Sequence, residues 1–460
     1  MIDNQPESNK AIQVGFVGAS HIFTGPVIHD MLMDPRLKGS ELHIYDINGL
    51  RAQEVAEVSQ RYVDQMGGDL QIKAVPDLKS AIVDADFVLQ SSLAGGRELG
   101  DKIKKAVAEK TGIYGPIEAH APYAQLQHML EVAQAIDKHN PTATLIQCSN
   151  PIPEGGTLAI QETGIKFIGV CHGYKEWEHL ARVMGMNPDL AQVKIAGINH
   201  NVWLLEFLYQ GADAYPRLDE WIRETSEQWL KTFLPYAKNV DYQLSKAAFD
   251  LYYKAGKIMP IGDSGRASNP VHSKYGYHDS PKAEAFWFGN EQGFESAPGE
   301  ASSRQWRANN INAFAQAASD NKAPVRHLFP QNSSGWQIEP IMASMATGQE
   351  STQMVNISNN GAIEGLEDRL VIEVPARVNR QGAHTEGNIR MPKTVFDKMI
   401  LPRQEQALLH VDAFRHKDLR RLQEVLMMNH KVQEAGGQEV ANKIIDIWRT
   451  FDPDMREHYA

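Results

Sequence analysis

The feature that most constrains the fold is a regular alternation of short apolar runs with helical spacing over the first 175 or so residues. Residues 12–18, IQVGFVG, form an apolar run closed by glycine, which reads as a buried strand entering a tight turn. FTGPVIHDML continues at helical spacing, and ELHIYDIN (41–48) is a second strand ending at Asp46. There follow a helix over 50–66, a strand at LQIKAV, a short helix near LKSAI and a strand at ADFVLQSSL. A long helix around 121–138 leads to strands in TATLIQCSNP and IKFIGVCHG. Strands alternating with helices of this length predict βαβ units. The expected class is α/β, with a Rossmann-like doubly wound parallel sheet and a ligand at the strand C-termini.

A chain of 460 residues exceeds what one core supports, so two domains are expected. After about residue 195 the rhythm changes to longer helical stretches (217–233, 241–255, 405–430, 436–450) with the strand-like LVIEVPARV. The reading is a first domain over 1–195 and an α+β domain over 196–460. Residues 289–335, polar around one helix, read as an insertion or lid.

Charge and cysteine content exclude several classes. A net charge of -11 is wrong for a nucleic-acid or anionic-membrane surface and suits a small, mostly uncharged ligand. No apolar run approaches the ~20 residues of a membrane helix, and MIDNQPESNK is too polar for a secretory signal. Two cysteines, Cys148 and Cys171, make no disulfide framework, so a cytoplasmic location is expected.

Four stretches carry candidate chemistry. The turn Gly15-x-x-Gly18-Ala19-Ser20 opens a helix whose free N–H groups suit a pyrophosphate, and Asp46 at the end of the second strand suits ribose hydroxyls. An acid there favours NAD over NADP. The full G-x-G-x-x-G is absent, because Ser20 and Phe23 stand where further glycines would be expected. Cys148-Ser149-Asn150-Pro151 and Gly169-Val170-Cys171-His172-Gly173 each close a strand, and Gly197-Ile198-Asn199-His200 follows. A thiolate and an imidazole at Cys171 and His200 could share a divalent cation. Alone, Cys171 reads equally as a small buried hydrophobe and His200 as a half-buried, hydrogen-bonded histidine. MPIGDSGR adds Asp263 and Arg266, as a reactive loop or as a surface turn with Asp263 capping it.

In this order, VGFVGAS, ADFVLQSSLAGG, SNPIPEGGTL, GVCHGY, GINHNVWL, MPIGDSGR and VNISNNGAIEGLEDRLVIEVPARV resemble glycoside hydrolase family 4, the NAD-dependent glycosidases, over nearly the whole chain. The resemblance is greatest to the branch of α-glucosidases, α-galactosidases and α-glucuronidases acting on unphosphorylated sugars. It implies an NAD-binding first domain, and a second domain for substrate, metal and oligomerisation. It also implies NAD+ and Mn2+ or another divalent metal as cofactors. The implied reaction oxidises C3 of the sugar with NAD+, removes the C2 proton, expels the aglycone, adds water and re-reduces C3. By that resemblance Cys171 and His200 hold the metal, and Asp263 removes the C2 proton. His172 assists the leaving group or orients a water, with Glu118 in GPIEAH as the alternative acid. Asn150 serves the cofactor and, with Asn199 and Arg266, the sugar. No basic cluster for a 6-phosphate stands out in the sequence. The expected partners are a small-molecule glycoside and copies of the chain in a homodimer or homotetramer. The competing readings are an NAD-dependent 2-hydroxy acid dehydrogenase of the lactate/malate type, which needs an arginine-bearing loop not found here, and a noncatalytic NAD-binding regulator.

Overall fold

The computed structural model describes residues 7–114, 123–233, 244–265, 273–288, 298–385 and 387–460. Six apolar runs of the first half form parallel strands: β1 (Gln13–Val17), β2 (Glu41–Tyr45), β3 (Gln71–Ala74), β4 (Phe87–Gln90), β5 (Thr144–Gln147) and β6 (Lys166–Gly169). They lie in the order β3-β2-β1-β4-β5-β6, the Rossmann order. Alternation along a strand sends Val14 and Phe16 to one face and Val17 to the other. The first face packs on the helices His21–Met33 and Gly49–Gln65, and the second on Tyr123–His139 and Ile152–Thr163.

Gly15 shows why β1 must be glycine at its centre. A Cβ there would stand 2.0 Å from the carbonyl oxygen of Ala81, so the glycine lets the short helix Leu78–Ile82 press on the strand. Helix starts follow local capping: Asn48 accepts from the N–H of Arg51, and Asp77 from that of Ser80.

The second half adds β7 (Ala191–Ile198), β8 (Asn201–Tyr209), β9 (Ala212–Asp213), β10 (Met259–Ile261), β11 (Ser351–Ser358), β12 (Val371–Asn379) and β13 (Gly382–His384). These are antiparallel and continue the same sheet as β6-β11-β12-β7-β8-β10, with β13 on β12 and β9 on β8. The join is one in-register row: Gly169 opposite Asn356, Asn356 opposite Glu373, and Glu373 opposite Gly197. It lays the C-terminal end of β6 beside the turn between β7 and β8.

Several sequence expectations are corrected here. The 405–430 stretch is two helices, Leu401–Arg415 and Leu419–Met427; Lys417 at φ +55° breaks it and Asp418 caps the second piece. The 217–233 stretch is likewise split into Tyr215–Glu224 and Ser226–Phe233. In the stretch read as an insertion or lid, residues 289–297 lie outside the described residues; the helix Pro298–Ser319 lies against the nucleotide half, where Arg61 Nη1 donates to the carbonyls of Ala317 (3.0 Å) and Asp320 (2.7 Å). Among the described residues no helix is long and apolar enough to cross a membrane.

Overpacking a strand against a helix backbone has no side chain to give way. Gly15→Ala is therefore expected to destabilise the fold by about 2–3 kcal/mol, seen as a lower urea midpoint. An unchanged midpoint would show that the Leu78–Ile82 helix is free to move.

Candidate active site

At the end of β1, Gly18 turns at φ +104°, with its N–H on the carbonyl of Tyr45 (2.8 Å). A Cβ on Gly18 would lie 2.8 Å from the backbone nitrogen of Ser92. The Asp46 carboxylate ties the turn together, accepting from the N–H of Ala19 at 2.8 Å and from that of Asn48 at 2.8 Å. Ser20 stands exposed at the N-cap of the following helix, and its side chain makes no bond to that helix. Gly18, Ala19, Ser20 and Asp46 thus frame an open helix N-terminus. Gly15 does not join them, because its role is the contact with Ala81 described above.

His21, the first residue of that helix, is 8 % exposed and rests on the Phe314 ring (4.7 Å between centroids). Burial, helped by the charge of Arg51, lowers its pKa to about 4.

The second cluster is built by three loops. Cys171 and His172 follow β6; Asn199 and His200 form the two-residue turn from β7 to β8, with Ile198 opposite Asn201. Asp263 lies in the short 3-10 helix Gly262–Gly265 after β10. Two glycines let the first and third loops touch: a Cβ on Gly262 (φ +62°) would stand 2.7 Å from the carbonyl oxygen of Gly173. The imidazole Nε2 of His200 then lies 3.3 Å from Asp263 Oδ2. His200 itself holds φ +60°. That conformation costs a residue with a Cβ about 1–2 kcal/mol, and such strain concentrates at functional sites.

Beneath these loops lies Glu373, which sequence reasoning missed. It is 1 % exposed, the third residue of β12, and its Oε2 accepts from Asn199 Nδ2 at 2.8 Å. Asn199 also hydrogen-bonds toward Cys171. Burial, with Asp263 adding to it against the hydrogen bonds of Asn199 and Asn356, pushes the Glu373 pKa up to about 7. The only signal in the sequence was an acid inside an apolar strand pattern, LVIEVPARV. Asn199 was expected to face the sugar; at 2 % exposure it is turned inward and acts on Glu373 and Cys171 instead.

Burial, and then the charges of Glu373 and Asp263, push the Cys171 thiol up. His172 has an edge open to solvent, yet the walls around it desolvate the ring and lower its pKa, as do His200 and Lys175, against the upward pull of Asp263. Its ring also meets Trp336 (4.8 Å), which in turn meets Phe23 (4.8 Å) in the nucleotide-turn helix. Asn150 is exposed beside Ser149, whose hydroxyl joins a network with Gln90 and Gln147 at the ends of β4 and β5 and with Gln125 of the helix Tyr123–His139. Glu118 and Arg266 lie outside the described residues.

The donor set suits a cation. A thiol, an imidazole and the carboxylate of Asp263 gather on the loops, with Glu373 beneath them, and positive charge would offset the acid. Among the described residues no three His, Cys, Asp or Glu side chains converge to cage an ion by themselves. An ion at Cys171 and His200 would be completed by ligand oxygens, which is the open geometry a Lewis acid needs.

Fold and crevice define a protein of the Rossmann-type α/β class, with titratable side chains at the C-terminal ends of its parallel strands. The chain belongs to glycosyl hydrolase family 4, the family its motifs resemble: the model for Family 4 glycosyl hydrolase matches residues 13–186, and that for the family's C-terminal domain residues 195–432. It is 28 % identical over 224 residues to an alpha-galactosidase of Bacillus subtilis, covering 46 % of this chain and 51 % of that protein's length. It is 24 % identical over 404 residues to an alpha-galacturonidase of Thermoanaerobacter italicus, 84 % of either chain. The solved 6-phospho-alpha-glucosidase from gut microorganisms, in complex with NAD and Mn2+, superimposes with a TM-score of 0.76 at 16 % identity, covering 97 % of this chain and 99 % of that one. As a member of this family, the chain is a glycosidase.

Two outcomes follow from this geometry. Glu373→Ala leaves Asn199 without its acceptor and opens a hole, and is expected to cost about 2–4 kcal/mol in urea unfolding, while Glu373→Gln, which keeps an acceptor, costs clearly less. Equal costs would show that the Asn199 bond is unimportant. The second concerns His21, whose folded pKa lies below its unfolded value. Its contribution is intact above pH 6.5 and is lost as pH falls toward 4, with a slope of up to about 1.4 kcal/mol per pH unit. His21→Gln should flatten the fall in melting temperature over that window; an identical acid limb in both proteins would assign it elsewhere.

Proposed function

We propose that the chain is an α-glycosidase for unphosphorylated glycosides that works with NAD+ and a divalent cation, Mn2+ or another, through redox-assisted elimination. The observation that carries this reading is the meeting of Cys171, His172, His200 and Asp263 at the ends of the parallel strands, one aromatic wall away from the turn at Gly18. The names of the alpha-galactosidase and alpha-galacturonidase relatives support a sugar without phosphate.

When bound, NAD+ supplies a hydride acceptor for C3 of the sugar, and the cation, at Cys171 and His200, supplies a Lewis acid for the C3 oxygen. The turn Gly18–Ser20 binds and orients the dinucleotide, with Asp46 on the ribose side. Asp263, its side chain 22 % exposed and 3.3 Å from His200 Nε2, takes the C2 proton. An aspartate is a weak base, so this step depends on the acidity that a neighbouring ketone confers. His172, held uncharged at neutral pH, orients the water that adds back at C1 better than it protonates an aglycone. Asn199 and Glu373 hold the Cys171 loop from beneath. Trp336 and Phe23 form the aromatic wall between the two halves of the site.

The test offers nitrophenyl α-glucoside, α-galactoside and α-glucuronide with NAD+, Mn2+ and a thiol reductant. Nitrophenol release without stoichiometric NADH is expected; NADH accumulating with turnover would mark a dehydrogenase and sink the reading. Cys171→Ser should abolish metal-dependent turnover while NAD+ still binds, and unchanged turnover would refute the ligand assignment.

A further inference from the structure

Just past β4, Ser91 and Ser92 press on the turn at Gly18, the proposed seat of the dinucleotide. The N–H of Ser91 donates to the carbonyl of Val17 (3.0 Å), and its hydroxyl to that of Gly18 (3.3 Å). The backbone of Ser92 fills the space beside Gly18 and leaves no room for a Cβ there. Whatever holds these two serines therefore holds the turn.

They are held by the helix Tyr123–His139. Gln125, buried, accepts from the N–H of Ala94 (2.8 Å) and donates to the carbonyl of Ser92 (3.3 Å). One turn along the same helix, His128 Nε2 lies 2.6 Å from Ser92 Oγ. The surrounding network fixes the direction of that bond. Gln147 Nε2 donates to the backbone carbonyl of Ser149 (2.9 Å) and to Gln90 Oε1 (2.7 Å), so the Gln90 amide turns its Nε2 to Ser92 Oγ (2.9 Å). On the other edge of the ring, His128 Nδ1 faces the Glu131 carboxylate at 4.0 Å, which places the hydrogen on Nδ1. Nε2 is then an acceptor, and Ser92, already accepting from Gln90, donates its hydroxyl hydrogen to it. Desolvation lowers the His128 pKa against the pull of Glu131, the charged group that acts on it among the described residues; Ser92 and Gln90 opposite are uncharged. The ring is neutral at pH 7, as an acceptor at Nε2 must be.

We propose that His128 is a positioning residue for NAD+: by accepting from Ser92 it fixes the wall against which the Gly18 turn is shaped for the dinucleotide. This rests on the NAD reading above and adds to it a residue that no step of the assigned chemistry uses. A proton on Nε2 turns the acceptor into a donor. It then faces an oxygen that already takes a hydrogen from Gln90, and the hydrogen of Ser92 is left without its acceptor. Because the network is buried, that loss is not made good by water, and the wall loosens. NAD+ affinity is therefore tied to the charge on this histidine.

The test measures NAD+ binding by calorimetry from about pH 5 to about pH 8. It compares wild type, His128→Gln, His128→Leu, Ser92→Ala and the Ser92→Ala/His128→Leu double variant. Wild-type Kd should be flat above the ordinary histidine value of 6.5 and rise about tenfold toward the acid end. Glutamine can accept from Ser92 and does not titrate, so His128→Gln should keep the neutral-pH affinity within about threefold and abolish the acid rise. His128→Leu should weaken binding about tenfold at every pH, and cost nothing further once Ser92 is alanine. A loss in His128→Leu that persists in the Ser92→Ala background, an acid rise unchanged in His128→Gln, or tighter wild-type binding in acid would each overturn the proposal. If wild type binds no NAD+ at any pH, the NAD reading falls and the role of His128 with it. Tight binding that no variant alters leaves that reading standing and removes only His128.

Discussion

Everything at the site depends on how two kinds of sheet are joined. The parallel strands end at Gly169, and the antiparallel strands begin beside it through the row Gly169–Asn356–Glu373–Gly197. Both ends of the row have no side chain, and for steric reasons. A Cβ on Gly169 would stand 2.5 Å from Ile152 Cγ2, and one on Gly197 would stand 2.2 Å from the carbonyl of Asn201. The two polar side chains between them are buried. From one end the chain runs on to Cys171, from the other to Asn199 and His200. The row therefore fixes the relation between two loops that are distant in sequence.

A buried acid in the middle of a sheet is costly unless it is bonded or held neutral. Glu373 is both, with Asn199 as donor and a pKa pushed up to about 7 by burial. Replacing the row with packed aliphatics would give a simpler core. It would also remove the acceptor that fixes the Asn199 amide beside Cys171. The left-handed turn at His200 is a second such cost, and the glycine pair 173 and 262 is the steric condition for bringing Asp263 to it. Three local concessions in stability thus serve one cluster.

Much of this was legible in the sequence because the parallel half is built from short apolar runs with turn residues between them. IQVGFVG, ELHIYDIN and IKFIGVCHG each end at a loop of the site, and the motif order was enough to identify the family. The β7–β8 hairpin was hidden because its turn is Asn199-His200 rather than an Asn-Gly or Asp-Gly pair. Glu373 and Trp336 were hidden for another reason. Each belongs to the site only through contacts with residues distant in sequence: the row and the His172 ring. Gly15 misled in the opposite direction, since a glycine required by helix packing looks the same in sequence as one required by a phosphate.

The chemistry assigned to this crevice differs from ordinary glycoside hydrolysis at one atom, the hydrogen on C2. Hydrolysing a nitrophenyl α-glycoside with the protein in D2O, in the presence of NAD+ and Mn2+, and reading the released sugar by NMR tests that atom directly. Deuterium at C2 is expected, because Asp263 removes that hydrogen and solvent returns it. A sugar product released with protium still at C2 would contradict the mechanism, whatever its rate of formation.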